Sequence, residues 1–257
     1  MKIAIHSLPR SGTKNLVKNF QSYLKSLGGP LLHPNDERGL DDPFNFEDEG
    51  WGPEKKTTSR MMGKLQNDYT YCKHHPTPVS IENEIQRRFK LLLDFKYSWV
   101  YRRVPFYMND PILYDSITRL DKCIAIIKDN VFEHCLSYTL ADQLKIWDAG
   151  PEMNIAISKY TDNKIILDKN NFKIKYEQFC KYNNIKWIPP IVVRKFEEMV
   201  KIKNSKEFCD FFEIPFNDFI FSPFEIEFGS NKFNMIGNIE ELKYIVEQME
   251  IELCNEY

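Results

Sequence analysis

The sequence predicts an α/β fold, a three-layer arrangement in which a mostly parallel central sheet is flanked by helices. Three observations carry this expectation. Short apolar runs bounded by turn residues alternate with stretches whose apolar residues recur at helical spacing. One run, residues 123–127 (CIAII), is apolar throughout, as a strand covered on both faces must be. Residues 2–25, KIAIHSLPRSGTKNLVKNFQSYLK, read as strand, tight loop and helix, the opening unit of such a sheet.

In that opening unit the apolar run 2–7 gives way to a turn cluster at 9–13. Leu16, Val17, Phe20 and Leu24 then mark one helix face, which Gly28, Gly29 and Pro30 end. Residues 31–78 are rich in Pro, Gly, Asp and Asn and lack a sustained period. A stretch that long is more than a connection and suggests functional loops. Ser80 is a cap for a helix bearing Ile81, Ile85, Phe89, Leu92 and Leu93. Residues 97–102 read as a strand, and Asp110-Pro111 opens a helix running to about residue 120.

After CIAII a capping box, Asn130 with Glu133, starts a helix expected to carry Phe132, Cys135, Leu136, Thr139, Leu140, Leu144 and Trp147 and to end near Gly150. Residues 164–167 look strand-like, and a helix over 170–182 packs Phe172, Tyr176 and Phe179. A strand at 191–194 and a helix at 205–212 follow. A second capping box, Asn238 with Glu241, precedes a last helix with Leu242, Ile245, Val246, Met249 and Leu253 inward. In parallel sheets ligands sit beyond the carboxyl ends of strands, where Arg10 and Lys128 both fall.

The 257 residues suffice for one domain over 1–257 with a substantial core, and no repeat or linker divides them. A hydrophobic share of 42% with 28% charged residues describes an ordinary globular chain, and the 14% of aromatic residues falls mainly at core spacing. The net charge of −2 argues against a nucleic-acid binder with a broad basic face. No run is long enough to span a membrane, and the chain opens on a strand rather than a signal peptide. The six cysteines are scattered without paired spacing, which points to reduced core thiols and a cytoplasmic setting, in a cell or a viral host.

Chemistry concentrates in the first loop. A loop at a helix N-terminus presents unpaired N–H groups and the positive end of the helix dipole, which suits a phosphate. Gly12 permits a positive φ, Thr13 adds a hydroxyl, and Arg10 and Lys14 add charge. It is not a triphosphate loop of the G-x-x-x-x-G-K-[ST] type, because the first Gly is missing and Asn15 follows Lys14.

PRSGTKNL, residues 9–16, resembles the 5′-phosphosulfate loop of the sulfotransferases that use 3′-phosphoadenosine 5′-phosphosulfate (PAPS). In that family a basic residue, Ser, Gly and Thr follow a Pro after the first strand, forming a P-loop-like phosphosulfate-binding loop. The family's second landmark is an apolar strand ending in Arg, a turn, and a helix bearing Ser eight residues on. Here CIAII is followed by Lys128, and Ser137 lies nine residues further. Lys lacks the bidentate grip that Arg has on phosphate. A third resemblance is 191–199 (IVVRKFEEM) followed by 206–215 (KEFCDFFEIP), where Phe196 to Met199 fill the family's Tyr-Glu-Asp-Leu slot with Glu197 in a structural part. Residues 234–249 resemble its final Asn-plus-acidic helix. The segment 31–78 matches poorly, and acceptor specificity would lie there.

The resemblance implies transfer of a sulfuryl group from PAPS to an acceptor hydroxyl or amine, with release of 3′-phosphoadenosine 5′-phosphate and no metal. It places Arg10 as a catalytic cation, with Ser11, Gly12, Thr13 and Lys14 on the 5′-phosphate and Lys128 and Ser137 on the 3′-phosphate. GLDDPFN, residues 39–45, resembles the Gly-x-Glu-x-Phe-type segment of some members and puts Asp42 as general base, with Asp41 beside it. His6, His33, His74 and His75 are weaker candidates for that proton. Cys72, His74 and His75 lack zinc-site spacing. Arg102 and Arg103 end a strand, where an anionic acceptor could meet them, and Lys232 is a candidate for a late nucleotide contact. The acceptor, a small molecule, lipid or glycan, and the oligomeric state are not legible. Two other classes stay open: an ATP- and Mg²⁺-dependent small-molecule or nucleoside kinase, and a non-catalytic relative that keeps the nucleotide.

Overall fold

The computed structural model describes residues 1–29, 93, 98–103, 119–145, 164–187, 189–224 and 230–255; of residues 99, 101–103, 230–232 and 251–255 it describes the backbone alone. Elements run in the order β1 (Lys2–Ser7), α1 (Thr13–Ser26), β2 (Trp99–Arg103), β3 (Lys122–Ile127), α2 (Val131–Leu144), α3 (Lys169–Asn183), β4 (Ile191–Lys195), α4 (Phe196–Met199), α5 (Ser205–Phe212), a 3-10 turn (Ser230–Met235) and α6 (Ile239–Asn255). The four strands form one sheet in the order β2-β1-β3-β4, and every pairing is parallel. Successive connections leave β1 in opposite directions, so the switch point of the topology lies between β1 and β3.

Side-chain alternation along the strands separates two cores. Ile3 and Ile5 of β1, with Ile124 and Ile126 of β3, face α1 and α5, where Leu16, Val17, Phe20, Phe208 and Phe212 are buried. The Phe20 ring meets Phe208 edge-on at 4.9 Å. The opposite face is covered by α2, α3 and α6 through Leu136, Phe172, Phe179 and Leu242. Residues 123–127 are therefore covered on both sides, as their unbroken apolar run predicts. Cys123 and Cys135 are buried, and burial pushes both thiols up to about 12.

A polar stripe of α1 holds a segment with no regular structure. Asn15 Nδ2 donates to the Pro223 carbonyl (2.7 Å) and Asn19 Nδ2 to that of Ser222 (2.8 Å), while the Ser222 N–H returns to Asn19 Oδ1. Ser22 Oγ donates to Ile220 and Tyr23 OH to Pro215, and Asn217 Nδ2 donates to Ser26 Oγ. Residues 215–223 thus run along the helix in the reverse direction. Phe219, Phe221 and Phe224 pack against the α1 core beneath them.

Three local expectations are corrected. The helix expected to reach Gly150 stops at Leu144, because Lys145 turns left-handed (φ 57°) and its N–H closes on the Ala141 and Asp142 carbonyls; Trp147 and Gly150 lie outside the described residues. Residues 164–167 make a single parallel bridge, Ile165 with Ile236, rather than a sheet strand. Asn238 does not cap α6. Its Oδ1 accepts from the Leu167 N–H (3.0 Å) and its Nδ2 donates to the Leu167 carbonyl (2.9 Å), so it acts as a surrogate strand partner. Glu241 reaches Lys169 instead. Asn130 does cap α2, at 2.9 Å from the Glu133 N–H, and Asn204 caps α5 in the same way.

Asn238→Ala orphans a buried N–H and a buried C=O, at roughly 1–3 kcal/mol each, so a loss of about 2–6 kcal/mol is expected. Asn130→Ala removes an exposed cap and should cost about 1 kcal/mol. Urea denaturation ranks the two, and equal losses would contradict the surrogate-strand role. In the native protein Cys123 and Cys135 should resist alkylation at about pH 8, as peptide mass spectrometry would read, and react only on unfolding.

Candidate active site

Five residues, 8 to 12, carry the chain from the end of β1 to the start of α1. Leu8 is buried in the α2–α3 core, whereas α1 packs in the other. The loop therefore crosses from one core to the other over the carboxyl edge of the sheet. The turn needs two left-handed residues, Gly12 at φ 65° and Arg10 at φ 67°. The second is a non-glycine residue in that region, a strained state that only surrounding structure can hold.

Gly12 is also the N-cap residue of α1, and having no side chain it makes no capping hydrogen bond to that end. The first N–H groups of a helix, with the positive end of its dipole, suit an anion. Lys14, in the first turn, is exposed and Arg10 is half-buried. Thr13 behaves differently from the sequence expectation. Its hydroxyl is buried 2.6 Å from Ser7 Oγ, where it closes the loop onto the last residue of β1. Ser11 is buried too, with its Oγ 3.3 Å from His134 Nε2.

The residues after β3 reach this loop through Phe196, the first residue of α4. A Cβ on Gly12 would stand 2.8 Å from Phe196 Cε2, and the Lys128 ammonium lies 4.2 Å from the centroid of the same ring. One aromatic side chain therefore touches the phosphate-type loop and carries the cation at the end of β3. The turn holding Lys128 is itself fastened. The Asp129 N–H donates to Glu197 Oε2 (3.3 Å), and Lys195 Nζ pairs with Asp129 Oδ1 (2.9 Å), which raises the Lys195 pKa through that hydrogen bond. Glu197 has the structural part expected of it.

On α2, Ser137 is buried one turn beyond His134, on the helix face that meets the loop. The sequence reading passed over His134 and took Phe196 as fold evidence only. The one signal for His134 was its three-residue spacing from Ser137. His6 is fully buried, with its ring 6.0 Å from that of Trp187, which places it in the core below the loop. Asp41, Asp42, His33, Cys72, His74 and His75 lie outside the described residues, as do the side chains of Arg102, Arg103 and Lys232. Among the described residues no group of three or more His, Cys, Asp or Glu side chains is placed to hold a metal ion, and no helix is long and apolar enough to cross a membrane.

Gly12→Ala is expected to lose about 1–2 kcal/mol from the left-handed backbone alone, and more from the contact with Phe196. In a Phe196→Ala background the same change should cost less, because only the backbone penalty remains. Thermal denaturation of the four proteins measures the coupling, and identical costs would show that Phe196 does not constrain the loop.

No protein-family model matches the chain, and no curated protein matches it in sequence. Among solved structures it is similar to the "Sulfotransferase Domain from the Curacin Biosynthetic Pathway", at 15% identity and a TM-score of 0.39, over 84% of this chain and 74% of that one. So distant a likeness carries no argument about activity.

Proposed function

We propose that the chain is a sulfotransferase that moves a sulfuryl group from PAPS to a hydroxyl or amine of a small-molecule, lipid or glycan acceptor. The observation that carries this reading is the α1 N-terminus. Its N-cap residue is a glycine that supplies no side-chain cap, it opens at the topological switch point, and it is reached through a loop, PRSGTKNL, that resembles the family's. The fit to a 5′-phosphate is one of donor chemistry. Backbone N–H groups from 11 to 14 supply neutral donors, Gly12 leaves no Cβ in the way, and Arg10 and Lys14 supply charge.

PAPS supplies the activated sulfuryl group. In the transfer an acceptor oxygen or nitrogen bonds to sulfur as the bond from sulfur to the 5′-phosphate oxygen breaks, and the acceptor proton passes to a base. The protein's part is to position and to offset charge. Arg10 neutralises the oxygen that leaves, held close to the loop by its left-handed backbone. Lys128 offsets the 3′-phosphate as a point charge, with Ser137 as its hydroxyl partner on α2. Asp42 is assigned the proton on the sequence resemblance alone.

Thermal denaturation with added nucleotide tests the reading. A ligand that binds the native state raises the midpoint by mass action. 3′-Phosphoadenosine 5′-phosphate should raise it, and ATP with Mg²⁺ or AMP should not. A rise with ATP and Mg²⁺ alone would move the chain to the kinases. Arg10→Ala should keep the fold and lose sulfuryl transfer, and normal turnover in that variant would remove Arg10 from the mechanism.

A further inference from the structure

His134 sits in α2 beneath the loop, buried, with its ring 4.6 Å from that of Phe179. Its Nε2 lies 2.7 Å from the Pro9 carbonyl oxygen and 3.3 Å from Ser11 Oγ. A carbonyl oxygen can only accept, so Nε2 must carry a hydrogen and donate it to Pro9. The same nitrogen then has no lone pair for Ser11, whose hydroxyl oxygen can share that hydrogen only as a second acceptor. These two contacts bracket Arg10, the strained residue of the turn. From α1 itself the loop is held at its other end, by the Thr13 hydroxyl against Ser7 Oγ.

We propose that His134 is a positioning residue for the anion site. Its Nε2–H clamps the loop at Pro9 and Ser11 and so holds the left-handed Arg10 and the α1 N–H groups in the arrangement that receives the 5′-phosphate. The clamp also ties that arrangement to α2, the helix that carries Ser137, so one rigid element serves both phosphates of the nucleotide. This inference rests on the PAPS reading of the site. A merely structural histidine would fill the same core space but would not discriminate between nucleotides with and without a 5′-phosphate.

Two measurements test it. Ring-nitrogen NMR of the wild-type protein should show Nε2 of His134 protonated, and a bare Nε2 with the proton on Nδ1 would overturn the clamp whatever the chain binds. Calorimetry of His134→Phe and His134→Gln should then separate the ligands. The Phe variant keeps a ring against Phe179 without a donor, and should bind 3′-phosphoadenosine 5′-phosphate about tenfold or more weakly. Its affinity for adenosine 3′-phosphate, which lacks the 5′-phosphate, should stay within about threefold of wild type. The Gln variant offers an N–H at similar reach and should recover most of the loss. Equal weakening for both nucleotides, or no recovery with Gln, would sink the proposal. A wild-type protein that binds neither nucleotide would sink the PAPS reading instead, and the NMR result would then decide the clamp alone.

Discussion

The chain must turn from a buried strand into a buried helix within five residues, and the rest of the carboxyl edge follows from that constraint. The turn is too tight for right-handed residues throughout, hence the positive φ at Arg10 and Gly12. A loop in that state holds only if its surroundings over-determine it. Ser7 with Thr13, His134 with Pro9, and Phe196 against Gly12 are those surroundings, and they come from β1, α2 and α4.

The division into two cores explains why these contacts converge. Alternation sends Ile3 and Ile5 to the α1 side, while Leu8 drops into the α2 side at the moment the strand ends. At the same level Tyr182 of α3 donates from its hydroxyl toward the His6 and Ile126 carbonyls, both at 3.1 Å. These carbonyls belong to the strands that flank the switch point. The opening between β1 and β3 is therefore bounded by buried, hydrogen-bonded groups rather than by loops alone. Burial drives the Tyr182 hydroxyl pKa upward, so it stays a donor at any ordinary pH.

Much of this was legible. The runs at 2–7, 123–127 and 191–194 are strands because their apolar content has no other stable use, and Asn130 acts as the local cap its spacing from Glu133 predicts. What could not be read is what depends on partners distant in sequence. Asn238 has the pattern of a cap, but the buried backbone of Leu167 needed its amide more. Residues 215–223 have no period of their own because α1 supplies their order from about two hundred positions away. The left-handed Arg10 was hidden for a different reason: no side-chain pattern announces a non-glycine residue in that region. The strand-loop-helix unit was visible, and the partners His134 and Phe196 that hold its loop were not.

On the proposed reading, Arg10 sets stability and chemistry against each other at one position. Glycine adopts its backbone geometry without the steric penalty an arginine bears, so Arg10→Gly would relieve strain while removing the guanidinium. Selection of heat-resistant variants from a random library, with no demand for turnover, would be drawn toward that change. The tolerance of position 10 to substitution is thus a record of what a lineage has been selected for. A chain kept only as a scaffold drifts toward the relaxed turn, and one kept for an anion's chemistry retains the strained cation.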